Sequence, residues 1–103
     1  MEEEGVKLKT VRRVKLLPGD VKEIPLIQEG TALIKKGGYV FEPDGTTMNY
    51  FGIDAYVQSI KVKNERGIMI AVNEGARTVE IPSGITMGHV YRIEKAIPVR
   101  EED

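Results

Sequence analysis

From Gly67 to Val90 the chain reads GIMIAVNEGARTVEIPSGITMGHV, a succession of apolar runs and turn residues that leaves room for little but β-structure. The apolar run 68–72 ends at Asn73-Glu74-Gly75, the alternating run 78–81 ends at Pro82-Ser83-Gly84, and a third run opens at Ile85. Gly, Pro and Asn supply the backbone conformations that interrupt strands, whereas Val, Ile and Thr suit a pleated surface. The same punctuation recurs upstream at Pro18-Gly19-Asp20, Glu29-Gly30, Gly37-Gly38, Pro43-Asp44-Gly45 and Asn64-Glu65-Arg66-Gly67. Strands are expected near 6–17, 21–27, 31–36, 39–42, 55–63, 68–73, 78–81 and 85–96. About eight short strands at this spacing predict an all-β barrel or sandwich. The one helical candidate, 48–55, is short and interrupted by Gly52. The run 68–72 is the most apolar in the chain and reads as a buried strand.

Length sets the scale: 103 residues make one domain with a modest core. We expect a single all-β domain over 6–97, flanked by acidic ends at 1–5 and 98–103 that have nothing apolar to bury and should fray. Fifteen basic residues against sixteen acidic ones give a net charge of −1, so no global field draws the chain to nucleic acid or membrane. The absence of cysteine removes disulfides and thiolate metal sites. No apolar run is long enough to span a bilayer, and Met-Glu-Glu-Glu is not the start of a signal peptide, so a cytoplasmic or intravirion location is expected.

Residues 6–17, VKLKTVRRVKLL, read as one long strand with Val6, Leu8, Val14 and Leu16 on one face. Lys7, Lys9, Arg13 and Lys15 share the other face and could track a phosphate backbone. The same charges also protect an edge strand from unwanted pairing, and no aromatic residue interleaves with them to stack bases. Arg12 falls on the otherwise apolar face, which implies a bulge near Thr10–Arg13 or a partly wet edge. Four of the six aromatic residues, Tyr39, Phe41, Tyr50 and Phe51, crowd into 39–51 and are expected to anchor one end of the core or a subunit interface.

Catalytic patterns are sparse. His89 is the only histidine, and neither Ser59 nor Ser83 stands in a nucleophile-elbow context, so a Ser–His–Asp set with Asp54 lacks its signature. One histidine and scattered carboxylates do not compose a metal site. The eleven glycines form neither G-x-G-x-x-G nor a P-loop. No catalytic, cofactor-binding or metal residues are therefore assigned, and no cofactor is expected.

The unit Val72-Asn73, Pro82-Ser83-Gly84 and the strand after it resemble the C-terminal half of dUTPase-like (β-clip) domains. Leu17-Pro18, Gly38-Tyr39-Val40-Phe41-Glu42-Pro43 and Gly52-Ile53 extend the likeness over most of 17–93 toward the small β domain between protease and reverse transcriptase in LTR-retrotransposon Pol. Gly52-Ile53-Asp54-Ala55-Tyr56 is similar to part of the dUTPase catalytic motif, with Asp54 in place of its carboxylate. Nine residues separate Tyr56 from Arg66 where that motif has the two types adjacent, and the family's acidic metal motif and phosphate-binding motif have no counterpart. The resemblance implies a β scaffold without the chemistry: a non-catalytic structural or self-association module, packing as a homo-oligomer with a trimer ahead of a dimer. The alternatives are a module that binds nucleic acid or a peptide and, further off, a nucleotide pyrophosphatase relic.

Overall fold

Alternation dictates how each strand meets the core. In Val21–Gln28 (β3), Ile24, Leu26 and Gln28 point inward, and in Arg66–Val72 (β6) Gly67, Met69 and Ala71 do so. The computed structural model describes residues 5–31 and 34–92. Its other elements are Val6–Thr10 (β1), Val14–Leu16 (β2), Gly37–Pro43 (β4), Gly45–Phe51 (α1), Gln58–Val62 (β5), Val79–Ile81 (β7) and Thr86–Tyr91 (β8). Strands make up just over half of the described residues, so the chain is all-β, with a nearly closed barrel-like sheet and a small second sheet.

The larger sheet is antiparallel in the order β5-β4-β8-β1-β3-β6, and β2 pairs with β7 beside it. Consecutive strands β5 and β6 are its two ends, joined by the turn Asn64-Glu65, where both residues have positive φ. That geometry is a two-residue turn whose twist matches the strands, with Lys63 and Arg66 exchanging both hydrogen bonds at 3.0 Å. Leu8, Ile24, Leu26, Phe41, Met69 and Met87 fill the interior, and Leu16 and Ile81 of the second sheet join the same core.

The first long strand is two. A register shift between Leu8 and Lys9 bends β1, and the chain leaves the large sheet after Thr10 to restart at Val14 in the small one. Thr10 fixes the departure: its hydroxyl donates to the Pro82 carbonyl (2.8 Å) and accepts from the Ile85 N–H (3.0 Å). The break also explains how a proline sits inside β3. Pro25 has no N–H to give, and at its level β1 has peeled away, leaving only a long contact from the Val11 N–H to the Pro25 carbonyl (3.4 Å).

Three other expectations change. Among 31–36 the described residues, 31 and 34–36, are not strand, and 32–33 lie outside the described residues. One short helix does form, offset from the weak candidate 48–55: α1 starts at Gly45 because Asp44 caps it, and Gly52 ends it in the left-handed region (φ 72°). The run 68–72 is buried on one face only: Met69 and Ala71 enter the core, whereas β6 is an end strand and Ile68 and Ile70 are 51% and 48% exposed. The ends 1–5 and 98–103, apart from Gly5, lie outside the described residues, as does 93–96 of the last expected strand.

The Asp44 carboxylate accepts from the Thr47 hydroxyl (2.7 Å) and the Thr47 N–H (3.0 Å), and these bonds hold its pKa below the ordinary 3.8. A depressed folded-state pKa stabilises above the unfolded value and loses that contribution as pH falls through the folded one. We expect Asp44→Ala to cost about 1 kcal/mol at neutral pH. The difference from the parent in urea denaturation should shrink as pH drops below about 4.

Candidate functional site

The edge where β5 and β6 meet is the least conventional part of the barrel. After the Lys63–Arg66 pair the two strands splay, and other groups close the gap. The Gln58 side-chain amide takes the place of a strand residue: its oxygen accepts from the Ile70 N–H (2.9 Å) and its nitrogen donates to the Ile70 carbonyl (3.2 Å). One turn of the pleat further, Asp54 and Val72 exchange backbone hydrogen bonds at 3.0 and 2.9 Å. Between the Lys63–Arg66 pair and the Gln58 clamp an open cleft of ≈ 380 Å³ is lined by Pro25, Leu26, Lys61, Arg66, Gly67 and Ile68. Gly67 fits closely there: a Cβ would lie 3.0 Å from the Ile60 Cδ1 and 3.3 Å from the Lys61 carbonyl oxygen, so the neighbours would have to give way by a few tenths of an ångström.

The outward face of the β3–β6 pair is apolar. Pro25 stands opposite Ile68 and Val21 opposite Val72, while Glu23 faces Ile70. The Gln58 nitrogen that reaches Ile70 also donates to the Tyr56 carbonyl (2.9 Å), which brings the exposed Tyr56-Val57 segment alongside. Val21, Ile68, Ile70, Tyr56 and Val57 are all substantially exposed, a grouping unlike the singly scattered apolar residues of an ordinary surface. Sequence reading missed this face. The one signal in the sequence was Pro25, which places β3 next to a strand that ends early.

The four aromatic residues divide. Phe41 is fully buried and Tyr39 and Phe51 pack against the core, so these three serve the interior, and Phe41 has no surface to offer a partner. Tyr50 is 80% exposed and meets the Phe51 ring edge-on at 4.9 Å. The basic residues of the first segment are also separated. Lys7 and Lys9 belong to the large sheet and Lys15 to the small one, with Arg13 just before it, so they form no continuous row. Arg13 lies 3.6 Å from Glu80, and the Lys15 carbonyl accepts from the Lys22 ammonium (2.7 Å).

Asp54 is exposed, and its backbone is committed to the bridge with Val72. His89 lies 3.2 Å from Glu42 and next to the Tyr91 ring (5.9 Å between centroids), on the outward face of β8. Ser59 on β5 and Ser83 in the turn between β7 and β8 are both exposed. Among the described residues no three of His, Cys, Asp and Glu converge as metal ligands, and no helix is long and apolar enough to cross a membrane. No family model, curated protein or solved structure matches this chain.

Proposed function

We propose that this domain is a non-catalytic self-association module whose contact surface is the outward β3–β6 face. The observation that carries the reading is the exposed pair Ile68 and Ile70, set on an end strand beside Val21 and Pro25. A small domain with one core gains by covering such a strip with a second copy, and closed symmetry limits further growth. Glu23 in the middle of the strip favours a repeated, in-register neighbour over random collapse, because a carboxylate must keep access to water or a donor. The resemblance to dUTPase-like domains implies threefold packing, which sets the expected mass at three times 11.5 kDa.

Light scattering at micromolar concentration tests this. The parent should show the oligomer mass, and the double variant Ile68→Ser/Ile70→Ser should fall to the monomer. Both side chains are half exposed in the isolated chain, so the variant should lose no more than about 1–2 kcal/mol of intrinsic stability. A parent that stays monomeric up to about 100 μM, well above the Kd of a specific interface, contradicts the proposal.

A further inference from the structure

Net charge is near zero over the whole chain, but it is not evenly spread. Lys36, Lys61, Lys63 and Arg66 are all exposed around the β5–β6 hairpin. Among the described residues, none of the four takes part in an ion pair. Lys61 near the end of β5 and Lys63 just after it share one face, about 6.6 Å apart at the usual strand rise, and Arg66 stands across the turn from Lys63.

Two clefts adjoin at Lys61. One is the opening between β5 and β6, shared by Lys61 and Arg66. Its Pro25 and Ile68 wall also belongs to the proposed contact strip, so a second copy and a ligand compete for it. The other, of ≈ 270 Å³, lies clear of that strip and is lined by Lys36, Gly37, Gly38, Lys61, Val62 and Lys63. Gly38 is the register partner of Lys61, so no side chain crowds the lysine from that side. The main-chain N–H groups of β6 turn toward the same edge. In β6 the N–H groups of Arg66, Ile70 and Val72 all point toward the β5 edge and are bonded there. Ile68 has the same parity, and its neighbour across β3 is Pro25, whose carbonyl points the other way. The Ile68 N–H therefore faces the cleft between Lys61 and Arg66.

Unpaired cations beside recessed clefts make a surface for phosphate oxygens. We propose that Lys36, Lys61, Lys63 and Arg66 bind the phosphate backbone of single-stranded nucleic acid. The spacing of Lys61 and Lys63 is comparable to that of successive phosphates in an extended strand. Tyr91 lies on the same outward side, opposite Val40, which in turn pairs with Ser59, and it offers a ring on which a base can stack. An anionic membrane fits less well, because the tip of the hairpin carries Glu65 and the cations flank concave clefts instead of crowning a protrusion.

The test is fluorescence anisotropy with a short labelled oligodeoxythymidylate, the full chain and increasing salt. Four phosphate contacts predict that affinity falls roughly 50-fold between 50 and 200 mM salt. The variant Lys61→Gln/Lys63→Gln/Arg66→Gln should bind far more weakly, with a salt effect under about threefold across the same range. Lys7→Gln/Lys9→Gln/Lys15→Gln removes as many charges elsewhere and should bind like the parent. Circular dichroism checks that each variant is folded; Lys36→Gln/Lys61→Gln, which leaves the turn residues alone, replaces the triple variant if it is not, and should halve the salt slope. Absence of binding at 50 mM salt with about 100 μM protein overturns the proposal. So does equal loss in the two triple variants, or retention on phosphatidylserine vesicles without retention on the oligonucleotide.

Discussion

Phe41→Ala should destabilise the domain by about 3–5 kcal/mol, enough to remove most of the stability of a chain this size. Phe41 is fully buried, pairs with Val90 on one side and Gln58 on the other, and is the largest side chain in the core. Its ring occupies space that β8 leaves open at Gly88. A Cβ at Gly88 would collide with the Glu42 carbonyl oxygen and come within 2.5 Å of the Phe41 Cζ. Gly88→Ala in the parent should therefore cost about 3 kcal/mol through overpacking. In the Phe41→Leu background it should cost less than in the parent, because a leucine vacates the ring edge; the two sites should couple in a double-mutant cycle by about 1 kcal/mol. Urea denaturation midpoints read all three. Additive effects would show that Gly88 is required for a reason other than the ring.

The second large effect centres on Asn73. This buried side chain donates to the Leu16 carbonyl (3.0 Å) and the Arg77 carbonyl (2.8 Å) and accepts from the Gly75 N–H (3.0 Å). Its main chain binds the turn after β2 as well, accepting from Gly19 (2.7 Å) and donating to the Asp20 carbonyl (2.9 Å). One residue thus joins the two sheets and two turns. Asn73→Ala strands buried carbonyls and should cost about 2–4 kcal/mol. Asn73→Asp should be worse at neutral pH, since the carboxylate can give neither hydrogen bond and is buried. Burial raises its pKa in the folded state, so stability is recovered as pH falls and the carboxyl protonates. The Asp variant should therefore gain on the parent between about pH 7 and 5 in thermal denaturation. A variant that tracks the parent across that range would show the site to be solvated.

The strand-and-turn skeleton was legible because its signals are local. Pro18-Gly19-Asp20 needs only Gly19 at φ 86° and an Asp20 side chain that accepts from the Leu17 N–H. Asn64-Glu65 closes a hairpin with both residues left-handed, although only the asparagine advertises it. What was not legible depends on partners far along the chain. The stretch 6–17 alternates without interruption, yet it divides between two sheets, because Thr10 is held by Pro82 and Ile85 more than seventy residues away. Likewise 68–72 is apolar at every position, so its composition could not reveal that β5 splays from it and leaves Ile68 and Ile70 outside. The cationic cluster was hidden for the same reason. Lys36 and Lys61 are distant in sequence and meet only when β4 pairs with β5, whereas the four basic residues that looked adjacent on paper are parted by the break after Thr10.

The self-association reading stands on which surface is covered, and amide chemical shifts report that residue by residue. Spectra of the parent at about 10 μM and about 500 μM, bracketing the Kd expected of a specific interface, should differ at Val21–Ile27 and Ile68–Val72. The amides of α1, including exposed Tyr50, should hold their positions. Shifts confined to α1, with β3 and β6 unchanged, would contradict the account and move the interface to the aromatic end of the molecule.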